Sequence, residues 1–418
     1  MMKLTGQSGS TILLVTWLLA IMGVVATFLI YRSEAEWAVV LKAEANATIR
    51  ELAEQALYDQ LSLLVEDDSE HDTPDEPWFN QTGRIEREVA GYRITMIVED
   101  EGSKPNLNLI GGGALRELLP PDDQTSIDPV LDWRDYDSDV RPEGAEEEFY
   151  RALVPPYKPR NGFFSTLTEL LAVKDGELIY PYFAPELTVY GKLNLNVLQL
   201  EQLEFLLRAT GEFQGQLDSV LNAINNYQNN NRFENLKSIE KVDLIPVGTA
   251  DKLLPFFNLA STEETFTGAC NLNFVSYLGL KIILLNIGFK SDDTTVTQII
   301  NRRKDEPFEN IEVIAGVLGV KEEKLKQKLH DYFTTKSSIF RFRIWVTKAN
   351  QRFYLNTVQQ RVPGDLRVKW IMRTLYWQTL SNRKVPEIPE LTPFEETLKE
   401  PEPAESTPTP TVPLAVTG

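Results

Sequence analysis

The densest group of reactive side chains in this 418-residue sequence is an acidic run at residues 128–148. Counted from Asp135 as position one, carboxylates stand at positions one, three, five, nine and twelve, and position seven offers a backbone carbonyl group. These six residues are Asp135, Asp137, Asp139, Glu143, Glu146 and, at position seven, Arg141. Calcium takes about six to eight oxygen ligands, and calcium-binding loops supply them at these offsets. The spacing therefore predicts that the run binds Ca2+.

The run departs from an EF-hand at position six, where Val140 replaces the Gly that the sharp turn requires. A related acidic loop is therefore the better prediction. Four aromatic residues in and beside the run indicate that it packs against the rest of the protein, and these are Trp133, Tyr136, Phe149 and Tyr150. A solvated acidic loop without metal is the alternative.

Other chemistry finds little support in the sequence. Paired carboxylates could hydrolyse glycosides, but the sequence does not place two of these acids on either side of an aromatic-lined cleft. His71 and His330 are the only histidines and Cys270 is the only cysteine, so we predict no zinc site, no Ser-His-Asp hydrolase and no intramolecular disulfide. The net charge of -19 argues against a nucleic-acid or anionic-lipid partner. We therefore predict a protein that is not an enzyme.

The elements that must position the acidic run begin with one long N-terminal helix. Residues 11–31 are apolar and, at about 1.5 Å per residue, would span about 30 Å, enough to cross a bilayer. Residues 32–66 continue in a helical period without Pro or Gly. A helix that is half in lipid and half amphipathic is typical of type IV pilins and pseudopilins.

The leader supports the same interpretation. Gly9 followed by Ser10 resembles the site at which prepilin peptidase cuts, on the polar side of a helix that stays attached. The fifth mature residue would then be Leu14, where most pilins have Glu, and this suggests a subunit at a fibre tip. An uncleaved membrane anchor, or a secretory signal cut after Ala26, are the alternatives.

Alternating apolar residues predict strands near both ends of the chain. They occur at residues 89–98, 340–346, 353–357 and 366–376, with a turn at 349–351. The middle of the chain lacks this alternation. We therefore predict an α+β, pilin-like fold, in which the long helix packs on a small antiparallel sheet and a large, mostly helical insertion occupies residues 114–337.

An internal repeat divides the insertion. Similar heptapeptides begin at Phe164, Phe233 and Phe308, and Asn-Leu-Asn occurs at residues 106–108, 194–196 and 271–273. The repeats are similar to helix-hairpin-helix units, which often bind nucleic-acid backbones. Because this region is acidic, we interpret the repeats as a scaffold.

Taken together, these features resemble the general secretion pathway protein K family, the minor pseudopilins of bacterial type II secretion. The matching blocks are residues 98–109, 131–135, 144–150, 155–162, 166–170 and 191–196. The family implies a pilin-like fold with an inserted helical domain that binds calcium. Carried over residue by residue, the calcium ligands are Asp132, Asp135, Asp137, Asp139 and Glu146, with Glu143 as a weaker candidate.

The resemblance also implies location and partners. The chain is expected to cross the bacterial inner membrane once, with its globular part in the periplasm. The expected partners are the minor pseudopilins I, J and H, the major pseudopilin, and prepilin peptidase as the processing enzyme. A minor pilin of a type IV pilus, and a membrane-anchored calcium-binding periplasmic protein or enzyme, remain alternatives.

These expectations divide the chain into six segments. They are a leader at 1–9, a transmembrane half-helix at 10–31, an amphipathic helix with the first strands at 32–113, the insertion at 114–337, closing strands at 338–384, and a disordered Pro/Glu/Thr-rich tail at 385–418.

The leader generates the first testable prediction. If prepilin peptidase processes the chain, the mature protein begins at Ser10, because the cut falls after Gly9. Chemical sequencing of the mature N-terminus measures this. A protein that begins at Thr27, or that retains Met1, contradicts the pseudopilin interpretation.

Overall fold

A computed structural model describes residues 8–213, 215–289, 293–364 and 368–389 of the chain. Residues 1–7 of the predicted leader and residues 390–418 of the predicted tail lie outside this description. The helices are α1 (Ser8–Glu66), α2 (Gly112–Arg116), α3 (Asp128–Arg134), α4 (Glu147–Arg151), α5 (Gly176–Glu186), α6 (Leu200–Thr210), α7 (Leu217–Asn230), α8 (Thr249–Phe257), α9 (Tyr277–Ile287), α10 (Asp293–Asp305), α11 (Glu312–Val317) and α12 (Glu323–Tyr332). The strands are β1 (Arg84–Val89), β2 (Tyr92–Asp100), β3 (Cys270–Asn271), β4 (Phe333–Thr334), β5 (Ile339–Lys348), β6 (Gln351–Pro363) and β7 (Trp370–Ser381).

Helix α1 is continuous over 59 residues, as the sequence predicts. Its segment Ile12–Glu34 is long and apolar enough to span a membrane. This segment is not buried against any other described part of the chain. From Ile49 onward one face of α1 is buried, at a helical spacing of three and four residues. The buried residues on this face are Ile49, Ala53, Ala56, Leu57, Gln60 and Leu64. The second half of α1 therefore packs on the protein while the first half projects from it.

The packing partner of α1 is an antiparallel sheet with the strand order β1-β2-β5-β6-β7. Met96, Ile344 and Leu355 lie in register across β2, β5 and β6, and all three belong to the core that these strands form with α1. The hairpin between β5 and β6 turns at Ala349, which has a φ of 49°. The α+β fold of a helix on a small sheet is confirmed.

The insertion joins two neighbouring strands of this sheet. Strand β2 ends at Asp100, β5 begins at Ile339, and the two strands pair directly with each other. The long excursion therefore leaves and rejoins the sheet at one place. Strand β1 was not predicted, because Arg84–Val89 is mostly charged and shows no apolar alternation.

The insertion contains three units that share one polar clamp. In each, the second Asn of Asn-Leu-Asn accepts a hydrogen bond from the backbone N–H group of a Phe and donates one to the carbonyl oxygen of the same Phe, at 2.8–3.1 Å. The pairs are Asn108 with Phe164, Asn196 with Phe233, and Asn273 with Phe308. The clamped Phe in each case opens the repeated heptapeptide, and each unit has its own hydrophobic core. The internal repeat is thus a repeat of structure.

The three units share a second contact. In each, a side chain near the end of a helix donates a hydrogen bond to the carbonyl oxygen of the central Leu of Asn-Leu-Asn. The pairs are Arg134 with Leu107, Gln228 with Leu195, and Arg303 with Leu272. In the second and third units this donor precedes the clamped Phe by 5 residues, at positions 228 and 233, and 303 and 308. In the first unit it precedes Phe164 by 30 residues. The acidic run therefore lies in a segment that the other two units lack.

The backbone of Asp72 joins the insertion to α1. Asp72 follows the end of α1, and its N–H group donates to the carbonyl oxygen of Thr335 at 2.8 Å. Its own carbonyl oxygen accepts from the side-chain amides of Asn271 at 3.2 Å and Asn273 at 3.0 Å. One residue of the segment after α1 thus contacts both the third unit and the segment that returns to β5.

The carboxylate of Asp72 completes this junction. It accepts from Lys336 Nζ and from the Ser337 N–H group, each at 2.7 Å, and it pairs with Arg361 on β6. Asp67 pairs with the same two cations, Lys336 and Arg361, at 2.7 Å each. Together with Glu76, these acids form a carboxylate cluster, but Lys336 and Arg361 already supply its positive charge. We therefore assign this cluster a structural role.

The start of the predicted tail differs from expectation. Val385 is buried, and Ile388 packs with it on the face of the sheet opposite α1, against Trp345 and Tyr354. The Trp345 indole also donates to the Pro386 carbonyl oxygen at 3.0 Å. The prediction that disorder begins at residue 385 is corrected for residues 385–388, because two apolar residues there find an apolar surface.

The clamp generates a stability prediction. Asn273→Ala removes the partners of the Phe308 N–H and carbonyl groups and one partner of the Asp72 carbonyl group. Buried backbone groups without partners cost about 1–3 kcal/mol each, so we expect a loss of about 2–5 kcal/mol in the free energy of unfolding. Chemical denaturation of the full-length protein in detergent measures this. Asn301→Ala, on the exposed face of α10, is the control, and an equal effect of both substitutions would contradict the clamp.

Candidate metal site

The acidic loop leaves α3 at Asp135 and returns at Glu146, immediately before α4. Its two ends are held together by the buried rings of Trp133 and Tyr150, whose centroids lie 5.2 Å apart at an interplanar angle of 80°. The edge-to-face geometry is favourable for aromatic pairs. The aromatic residues of the run therefore fix the loop's ends, as the sequence indicates.

Three of the five predicted ligands converge. Asp135, Asp137 and Glu146 can each place one carboxylate oxygen so that all three oxygens lie within 4.8 Å of one another. Asp135 is 6% exposed and Glu146 is 4% exposed, whereas Asp137 lies at the solvent side. Clustered carboxylates repel each other unless a cation lies between them. The loop therefore presents one compact acidic site.

Asp132 has a different environment. It is fully buried, and its carboxylate accepts from the Ala145 N–H group at 2.8 Å and from Arg141 Nη1 at 2.6 Å. Arg141 also pairs with Asp135, so it links Asp132 to the rim of the site. Gly144 is required here, since a Cβ atom would lie 1.8 Å from an oxygen of Asp132. In this structure Asp132 orients the loop.

Asp139 and Glu143 lie outside the converging group. Both are exposed, and the Asp139 N–H group donates to the carboxylate of Asp137 at 2.8 Å. The N–H group of Glu143 donates to Asp128 at 3.3 Å. These contacts shape the loop and leave the site to Asp135, Asp137 and Glu146.

Asn161 is a neighbouring residue that the sequence did not single out. It adopts a φ of 46°, and its side-chain amide donates to the Asp137 carbonyl oxygen at 2.8 Å. Among the described residues, four buried acceptor oxygens here have no hydrogen-bond donor: Asp135 Oδ1, both carboxylate oxygens of Glu146, and Asn161 Oδ1. Buried acceptors without donors are costly, and a hard cation satisfies them. The Asn-Gly dipeptide at 161–162 was the available signal, because it is typical of turns with positive φ.

The electrostatics agree with a cation site. Burial, and then repulsion from Asp135 and Asp132, raises the pKa of Glu146 to about 7. Burial also raises the pKa of Asp135 to about 6, although its contact with Arg141 opposes the change. A bound divalent cation would stabilise the ionised forms of both groups. Oxygen donors without nitrogen or sulfur fit hard cations such as Ca2+ and Mg2+.

The N-terminal processing site is only partly described. The structure begins α1 at Ser8, so the backbone of Gly9 and Ser10 is helical. Leu14 is exposed on α1, within the candidate span Ile12–Glu34. Cleavage between Gly9 and Ser10 stays a prediction.

Substitution of Glu146 tests for a cation. In excess chelator, Glu146→Gln should melt at the wild-type temperature or above it, because the substitution removes a buried, repelled carboxylate. In millimolar Ca2+ the wild type should gain several degrees and the variant clearly less, because a ligand is lost. Glu148→Gln, at an exposed position nearby, should behave like the wild type. A wild-type melting temperature that is insensitive to Ca2+ would show that the loop binds no calcium.

The region of the acidic loop is similar to a known protein family. Residues 113–192, which include the whole acidic loop, match the family model for the type II secretion system (T2SS), protein K. No curated protein matches the chain. The crystal structure of the GspK-GspI-GspJ complex from the enterotoxigenic Escherichia coli type 2 secretion system is similar, with 17% identity, coverage of 83% of this chain and 98% of that chain, and a TM-score of 0.43.

At that identity and TM-score the two folds superpose only loosely, so the family match rests on residues 113–192. This segment includes the first clamped Phe, the carboxylate site and Asn161. Over these 80 residues the chain is similar to protein K of the type II secretion system.

Proposed function

We propose that this chain is a minor pseudopilin of a type II secretion system, located at the tip of the pseudopilus. With other minor pseudopilins it would initiate and cap the fibre that exports folded proteins across the outer membrane. The observation that carries this proposal is the protein K domain at residues 113–192, inserted between neighbouring strands of a helix-and-sheet core. The role is mechanical, and the chain contributes surfaces and stiffness.

The stalk suits insertion in the inner membrane. The apolar segment Ile12–Glu34 would cross the bilayer after processing behind Gly9, with the globular part in the periplasm. From residue 34 to the end of α1 at residue 66, the helix rises about 48 Å at 1.5 Å per residue. The junction at Asp72 follows this end of α1. The insertion therefore lies at the membrane-distal end of the stalk.

This placement favours a tip position. The insertion comprises residues 101–338, more than half of the chain, and it contacts the upper end of the stalk. Another subunit stacked directly above would collide with it. Leu14 also removes the carboxylate by which most pilins dock under a neighbour, so both ends of α1 agree with a terminal subunit.

The partners follow from the same proposal. The similar structure from Escherichia coli is named as a GspK-GspI-GspJ complex, and we propose that this chain binds the corresponding I and J subunits. The H subunit and the major pseudopilin would follow below them. Calcium, bound by Asp135, Asp137 and Glu146 with Asn161 beside them, would stabilise the acidic loop of the insertion.

Gene deletion tests this function. Loss of the gene should leave secreted proteins in the periplasm, and the full-length gene should restore their export. The wild-type chain solubilised from membranes should also co-purify with the I and J subunits. Export that continues in the deletion strain while type IV pili are lost would favour a minor pilin, and would contradict the proposal.

A further inference from the structure

The two edge strands of the sheet differ in their protection. Strand β1 has six residues, of which four are charged, and this is a common defence against unwanted strand pairing. Strand β7 has twelve residues, and Arg373 is its only charged residue. No described strand pairs with the outer edge of β7. A long, weakly charged edge is a template on which another strand can pair.

Strand β7 also presents apolar side chains to solvent. None of its twelve residues is buried, although eight of the thirteen residues of its neighbour β6 are. Ile371 is 50% exposed and Trp377 is 39% exposed. The two residues lie on opposite faces of the sheet, because the register between β6 and β7 shifts at Val358 and Gln359. The edge therefore offers an apolar side chain on each face in addition to its backbone groups.

The charge around β7 indicates the chemistry of its partner. Residues 368–384 contain no acidic residue and four basic ones, whereas the chain as a whole has a net charge of -19. The basic residues are Lys369, Arg373, Arg383 and Lys384. An extended segment with acidic and apolar residues would complement this edge in shape and in charge.

We propose that β7 is a docking edge, on which an extended acidic segment of another minor pseudopilin adds a sixth strand to the sheet. The identity of the partner class rests on the function proposed above. Trp370, at the start of β7, donates from its indole to the Asp67 carbonyl oxygen at 2.9 Å. The docked strand would therefore run beside the junction that holds the insertion.

Two other occupants fit the edge less well. The chain's own acidic tail contains six prolines in residues 390–418, and these lack the N–H groups that a continuous ladder needs. A second copy of β7 would bring two basic edges together. A separate acidic strand has neither problem.

Photocrosslinking in secreting cells identifies the occupant. A benzoylphenylalanine residue at Thr374 or Gln378, both exposed on β7, should form a covalent adduct with an acidic, extended segment of another minor pseudopilin. The same probe at Val89, on the β1 edge, is the matched control and should not. Adducts with residues 390–418 of this chain, with a second copy or with lipid, or the absence of an adduct, would overturn the proposal.

Substitutions on the two edges test the energetic contribution. Ile371→Glu and Trp377→Glu each place an acid on the exposed edge, and each should lower co-purification of the full-length chain with the partner at least tenfold. Val89→Glu, at a residue that is 42% exposed on β1, should leave co-purification unchanged. Unaltered melting temperatures would show that all three variants fold.

The outcomes separate this inference from the proposed function. If gene deletion abolishes export but both β7 variants bind partners normally, the docking edge is wrong and the function stands. If gene deletion leaves export intact, the proposed function itself is wrong.

Discussion

The arrangement of the whole molecule depends on charge pairs buried where the insertion meets the stalk. Asp72 is fully buried and pairs with buried Arg361 and partly buried Lys336, and a buried charge is tolerated only when it is paired and hydrogen-bonded. A second network lies at the same end of the sheet, where fully buried Glu101, the residue after β2, pairs with Arg341 at 2.7 Å and accepts from Thr188 at 2.8 Å. Burial alone would raise the pKa of Glu101, but the nearby cations hold the pKa below its usual value. These two networks lie where the chain leaves β2 and where it returns to β5. They therefore hold the insertion and the sheet together as a single mechanical unit.

The acidic site follows from the architecture of the repeats. The second and third units connect the helix end to the clamped Phe in 5 residues, and their cores are apolar throughout. The first unit has 30 residues in the same connection, and in its acidic part, residues 135–148, Ala145 is the only buried apolar residue. Aromatic packing of Trp133 on Tyr150 fixes its ends, and a cation held by its carboxylates would fix its middle. The metal would thus stand in for the hydrophobic core that the segment lacks.

The sequence predicted those features that local pattern determines. The unbroken α1, the hairpin of β5 and β6, and the position of the insertion follow from helical period, strand alternation and turn chemistry. Residues that act through distant partners were missed. Asp72 lies in an acidic segment after α1, and the local sequence there is typical of a solvated turn. Only its contacts with Lys336 and Arg361, more than 260 residues away in the sequence, give it a structural role. Asp132 was predicted as a ligand from the family resemblance, and in this structure its carboxylate accepts hydrogen bonds from Arg141 and from the Ala145 N–H group. The strand predicted at residues 366–376 overlaps β7, which pairs with β6 from Trp370 to Ser381, and residues 366 and 367 lie outside the described part of the chain.

A single copy of this chain at one end of the fibre is the central claim. Gold labelling of an epitope in the insertion, on pseudopili purified from cells that express the full-length protein, tests it most directly. We expect one label at one end of each fibre, because the insertion would block stacking above it. Labels distributed along the fibre length would contradict this terminal position.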